Sequence, residues 1–68
     1  MKKYMIYLDF TLDQDVWILP FSVKGKIVEI HLMRGMTVYE VRHIRETSIA
    51  ISFLYQEELE EYKEQDIL

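Results

Sequence analysis

Apolar and polar side chains alternate along most of this chain, and a period of two is the signature of strands that bury one face. Over residues 4–12, Tyr4, Ile6, Leu8, Phe10 and Leu12 share one side, with Met5, Tyr7, Asp9 and Thr11 on the other. Asp13-Gln14-Asp15 predicts a turn, because aspartate side chains bond nearby backbone amides. A short apolar strand then runs from Asp15 towards Val23, interrupted by Pro20. Proline donates nothing to a ladder, so this strand is an edge, is bulged, or ends near Leu19. Lys24-Gly25-Lys26 predicts the next turn, with both Gly25 and Gly35 read as punctuation between strands. From Lys26 to Met33, Val28, Ile30 and Leu32 oppose Glu29, His31 and Met33. From Met36 to Ile44, Tyr39 and Val41 oppose Val38, Glu40 and Arg42. The clearest alternation is Ser48 to Tyr55, where Ile49, Ile51, Phe53 and Tyr55 alternate with Ser48, Ala50, Ser52 and Leu54.

At Gln56 the period changes. Residues 56–64 have helix-forming composition, with Leu59 and Tyr62 three apart on one face and glutamates at the positive end of the helix dipole. A short C-terminal helix is predicted to dock through Leu59 and Tyr62 over an open end of the sheet.

Register follows from keeping apolar faces together. A two-residue turn at Arg34-Gly35 pairs Met33 with Met36, Ile30 with Tyr39 and Val28 with Val41. A loop centred on Glu46 sets Val41 opposite Ile51 and Tyr39 opposite Phe53. The predicted core face is therefore Val28, Ile30, Tyr39, Val41, Ile51 and Phe53. Met33, Met36, Val38 and Leu54 are left as an apolar patch on the outer face, with Glu29 opposite Glu40 beside it.

Composition narrows the class. With 68 residues the chain is one small domain, read over 1–68 as an extra strand (4–12), a meander (15–55) and an acidic helix (56–64). A domain of this size buries only ~60% of its unfolded surface. It has no cysteine to staple it, so neither disulfides nor thiolate zinc sites are expected. A hydrophobic content of 50% excludes the composition of a disordered chain. Lys2 and Lys3 precede an apolar run that Asp9 breaks, which does not make a secretory signal. No stretch reaches the ~20 apolar residues of a membrane span. The expectation is a soluble cytoplasmic protein without a membrane partner.

The net charge of −4 disfavours generic binding to a phosphate backbone. It also hides an asymmetry that can steer a partner. Lys24, Lys26, Arg34, Arg42 and Arg45 make the middle basic, whereas Glu57, Glu58, Glu60, Glu61, Glu64 and Asp66 make the tail acidic.

About five short strands joined by tight turns favour a small barrel, which also removes exposed sheet edges. Asp15-Val16-Trp17, Gly25-Lys26-Ile27-Val28, Tyr39-Glu40-Val41 and Glu57-Glu58-Leu59-Glu60 together resemble the SH3-like small barrels, including Tudor-like and KOW-like domains, of short bacterial and phage proteins. The resemblance spans residues 13–62. It implies a mainly β fold, either an SH3-like barrel or a strongly bent antiparallel meander of about five strands with a short C-terminal helix. The strand over 4–12 is extra to that pattern; it caps the barrel or pairs with another copy to make a homodimer.

The chemistry-bearing residues do not assemble into a reactive site. His31 falls on the outer face and His43 follows the inner set, so the two do not converge, and no cysteine supports zinc. Asp13 and Asp15 flank a turn; a cation there needs further oxygens. Ser22, Ser48 and Ser52 lack an activating base nearby in sequence, and the isolated glycines form no phosphate-cradling loop. No catalytic residue, metal site or cofactor is assigned.

Binding is the remaining class. One candidate surface is acidic: Glu57, Glu58, Glu60, Glu61 and Glu64 on the predicted helix, a mimic of nucleic-acid phosphates. The other is the apolar patch of Met33, Met36, Val38 and Leu54, where methionines adapt to irregular partners. The leading reading is a non-enzymatic protein-binding module, similar in type to phage and mobile-element proteins that inhibit host defence nucleases by occupying their surface. The alternatives are a KOW-like nucleic-acid module, using the basic middle with Trp17, Tyr39 and Phe53 as stacking groups, and a self-associating structural protein.

Overall fold

Five antiparallel strands make one sheet in the computed structural model, which describes residues 8–63. They are β1 (Asp15–Ile18), β2 (Val23–Met33), β3 (Met36–Arg45), β4 (Ser48–Tyr55) and β5 (Leu59–Glu61), with a 3-10 turn at Gln56–Glu58. Their order across the sheet is β4-β3-β2-β1-β5. The fold is mainly β, and the sheet is open: among the described residues no ladder joins its two edges, β4 and β5. The expected closed barrel is corrected to a bent, open sheet.

Bending follows from the connection. Only Gln56–Glu58 separates the end of one edge strand from the start of the other, so the sheet curls to bring its edges near each other at that corner. Leu54 of β4 and Leu59 of β5 accordingly enter the same buried cluster as Phe10, Val16, Ile18, Ile27, Tyr39 and Val41.

The β2–β3 hairpin keeps the expected register over most of its length. Met33 pairs with Met36, His31 with Val38, Ile30 with Tyr39 and Glu29 with Glu40 across the turn containing Gly35. Gly35 has φ 68°, a conformation in which a Cβ is disfavoured. Beyond Glu29 the register shifts, and Ile27 rather than Val28 pairs with Val41. The bulge has a tertiary cause. The Asp13 amide donates to the Ile27 carbonyl at 2.8 Å, and the Ile27 amide donates to the Gln14 carbonyl at 3.1 Å. These contacts hold Ile27 inward, fully buried, and Val28 becomes the extra residue.

Three further expectations are corrected. Lys24-Gly25-Lys26 is not a turn but part of β2, paired with β1. The reversal lies one step earlier, over Leu19–Ser22 with Pro20 inside it, where the Ser22 amide donates to the Ile18 carbonyl at 2.7 Å. In the N-terminal segment, residues 4–7 of the expected strand lie outside the described residues, and residues 8–12 form no strand. Instead Phe10 is buried edge-on to Tyr39, with ring centroids 5.5 Å apart. The third concerns β4. Glu46 takes a positive φ of 58° and Arg45 pairs directly with Ser48, so the turn is one residue shorter than the loop expected there. Every β4 pairing slips by one: Tyr39 meets Leu54 and Val41 meets Ser52. Because side chains alternate, that slip exchanges the two faces of the strand. Leu54 goes inward, 4% exposed, and Ile51 and Phe53 go outward.

The acidic helix is likewise replaced. Gln56–Glu58 makes a single 3-10 turn, and Leu59–Glu61 is a strand beside β1, with Leu59 opposite Ile18 and Glu60 opposite Trp17. Backbone pairing with β1 and burial of Leu59 outweigh the modest helix propensity of glutamate.

Candidate interaction surface

β3 and β4 carry the candidate site because, among the described residues, their outer faces bear exposed apolar side chains. Along β4, Ile49, Ile51, Phe53 and Tyr55 are 72%, 53%, 63% and 44% exposed. Ile44, opposite Ile49 on β3, is also exposed. Polar groups interrupt this surface once, in its middle: Glu40 lies opposite Phe53 and Arg42 opposite Ile51. The Glu40 Oε1 lies 3.1 Å from the His31 Nε2, and the His31 ring sits 5.6 Å from that of Phe53. Among the described residues, eight apolar side chains are buried and twelve large ones are exposed. Scattered exposed leucines are ordinary; the continuous run along one strand makes this face the candidate surface.

The expected patch of Met33, Met36, Val38 and Leu54 lies only partly on this face. Met33 and Met36 are exposed at the hairpin tip, and Val38 is half-buried opposite Tyr55. Leu54 belongs to the core, for the register reason above. Alternation alone does not reveal the replacement residues, because both faces of β4 hold apolar side chains and the larger set is the natural choice for the inside. The informative signal is the turn length at Glu46-Thr47.

The acidic residues are dispersed. Glu58 turns back so that its Oε1 accepts the Tyr55 amide at 3.0 Å, and it is half-buried. Glu60 and Glu61 are adjacent strand residues and therefore point to opposite faces. Glu57 is exposed, and Glu64 lies outside the described residues. A helical face presenting all of them together does not form over residues 57–61.

Basic residues spread as well. The Asp15 carboxylate lies 3.8 Å from the Lys24 Nζ and 3.6 Å from the Lys26 Nζ. Lys24 also stands over the Tyr62 ring at 4.7 Å, and Tyr62 stacks on Trp17 with centroids 6.3 Å apart. Arg34 and Arg45 sit at opposite ends of the hairpins. Of the three aromatics named as stacking groups, Tyr39 is fully buried, Trp17 is half-buried under Tyr62, and Phe53 is exposed.

Two histidines take the places expected of them: His31 outward and His43 inward. The structure adds a contact across β3 and β4, with the His43 Nε2 2.9 Å from the Ser52 Oγ. Phe21 covers the imidazole at 5.4 Å. The His43 Nδ1 is buried without a hydrogen-bond partner among the described residues. Among the described residues, no three His, Cys, Asp or Glu side chains gather where they can hold a metal ion. No helix there is long and apolar enough to cross a membrane.

Comparison with known proteins returns no relative: no family model, curated protein or solved structure matches the chain.

Proposed function

We propose that this chain is a non-enzymatic protein-binding module of SH3-like build, which acts by laying the outer face of β3 and β4 against another protein. The observation that carries this reading is the exposed run Ile49, Ile51, Phe53 and Tyr55 on one face of one strand. Aromatic and aliphatic anchors of this kind, ringed by charges such as Glu40 and Arg42, supply most of the energy at protein interfaces. The SH3-like build draws support from connectivity. A 3-10 turn follows the fourth strand, and the fifth returns beside the first. Since Glu60 and Glu61 point to opposite faces, apolar contact replaces phosphate mimicry as the mechanism of surface occupation.

The test compares full-length wild type with the double variant Ile51→Lys/Phe53→Lys as affinity baits in extract from the source organism. Both positions are exposed, so the variant keeps its fold, checked by circular dichroism. Partners identified by mass spectrometry should be retained by wild type and lost with the double variant. Equal recovery on both baits would remove this face as the contact surface.

A further inference from the structure

The two edges of the sheet are treated differently. β5 is three residues long and bears Glu60 and Glu61, the short charged form by which proteins keep an edge from pairing. β4 has eight residues, Ser48–Tyr55, with no charge, no proline and no register shift. Among the described residues, the edge carries one cap, the Glu58 carboxylate on the Tyr55 amide, and no other protection of its own. A hairpin closed by a two-residue turn makes its first narrow pair at the flanking residues, here Arg45 and Ser48. Ser48, Ala50, Ser52 and Leu54 therefore bond to β3, and the amides and carbonyls of Ile49, Ile51 and Phe53 face the open edge, with the Tyr55 carbonyl; the Tyr55 amide already donates to the Glu58 Oε1.

We infer that the occupant of this edge is a second copy of the chain, paired β4 to β4 in antiparallel fashion about a two-fold axis at Ser52. This rests on the reading of the β4 face as a contact surface and names its partner. The sequence of the strand selects the register. Centring on Ser52 places Ile49 opposite the partner's Tyr55 and Ile51 opposite the partner's Phe53, so all four outward-facing residues form narrow pairs. These pairs exchange about six hydrogen bonds, two in each Ile51–Phe53 pair and one in each Ile49–Tyr55 pair, since Glu58 holds the Tyr55 amide. Every pair on the outward face is then aromatic with β-branched, the favoured combination. Centring on Ile51 pairs Ile51 with itself and puts Tyr55 against the Glu46-Thr47 turn, and centring on Phe53 pairs Phe53 with itself and puts Ile49 against Glu57; neither keeps every outward pair mixed. Pairing through one strand edge is reversible, so association depends on concentration. Pairing joins the two outer faces into one continuous apolar surface, so that a heterologous partner meets a doubled site.

Sedimentation equilibrium on the full chain, from about 5 to about 500 μM, should show reversible monomer and dimer. Ile51→Pro removes an edge-facing amide without breaking the β3 ladder and should raise the dimer Kd by at least about tenfold. A synthetic chain N-methylated at Ile51 tests the same amide with the side chain intact, should the proline variant fail to fold. Because the chain has no cysteine, Ser52→Cys can crosslink only between copies. Residue 52 faces itself across the axis, at a separation that a disulfide spans. Ser52→Cys should give a covalent dimer on oxidation, and Ala50→Cys should not. A monomer at all concentrations overturns the inference, while the Ile51→Lys/Phe53→Lys capture experiment separately decides the protein-binding reading. A dimer unaffected by Ile51→Pro and N-methylation, or abolished by deleting residues 1–7, also overturns it by moving the interface elsewhere.

Discussion

Gly25 lies within β2 opposite His43, and its missing side chain makes room for the core. An added Cβ would lie 2.5 Å from the Val41 Cγ1, 2.9 Å from the Ile18 Cδ1 and 3.2 Å from the Arg42 carbonyl oxygen. The Ile18 terminus can rotate away. Val41 cannot easily do so, because a β-branched side chain is stiff at χ1 and this one is fully buried. Overpacking of this kind costs about 1–3 kcal/mol, while replacing a strand glycine by alanine returns about 0.5–1 kcal/mol of backbone entropy. The clash wins, and Gly25→Ala should lose about 1–2 kcal/mol net. A domain this small has about 3–10 kcal/mol in total, and its Tm should fall by about 5–15 °C. Equilibrium urea unfolding followed by the single tryptophan, Trp17, reads the change as a lower midpoint at unchanged slope. Val41→Ala removes the obstructing methyl, so in the Gly25→Ala/Val41→Ala double variant the two losses should sum to less than their separate values. A Gly25→Ala midpoint at or above wild type, or strictly additive losses, would refute the close-approach argument.

Leu54→Ala should cost about 2–5 kcal/mol and Phe53→Ala less than about 0.5 kcal/mol; thermal melts giving the reverse order would restore the register with Tyr39 opposite Phe53 and refute the one with Leu54 inside. Tyr62→Ala should red-shift the Trp17 emission as the stacked ring is removed. An unchanged spectrum would mean that the two rings are not stacked in solution. Gly35 has nothing within 4 Å of an added Cβ but a φ of +68°, so the cost there is conformational. Gly35→Ala should lose about 1 kcal/mol and Gly35→Asn clearly less, since asparagine tolerates the left-handed region. Equal midpoints in urea for these two variants would contradict that origin.

The sequence was most legible where local geometry is sufficient. Gly35 marks a tight turn, and alternating side chains on either side of it then specify the pairs from Met33–Met36 to Glu29–Glu40. Legibility ended at Val28, where amides from Asp13 and the carbonyl of Gln14 capture Ile27; a bulge imposed from another segment leaves no mark in the alternation itself. Glu46 hid the length of the second turn, because a positive φ at glutamate has no compositional signal like that of glycine or asparagine. That single residue of slip is what moved Leu54 into the core and Ile51 and Phe53 onto the surface. In the tail, the run of glutamates carried a true local preference for helix, and the pairing of Leu59 with Ile18 overrode it.

The 3-10 corner at Gln56–Glu58 also orders the assembly of the fold in time. The β2–β3 and β3–β4 hairpins join neighbours in sequence, whereas β5 reaches back to β1 across the whole meander, Leu59 to Ile18. Closing that long loop costs chain entropy before any contact rewards it. The hairpins therefore form first, and the β1–β5 pair is the last to close and the first to open. Amide hydrogen exchange should be faster in Leu59–Glu61 than in Tyr39–Val41, because the four strands β1–β4 can persist while the returning strand comes and goes.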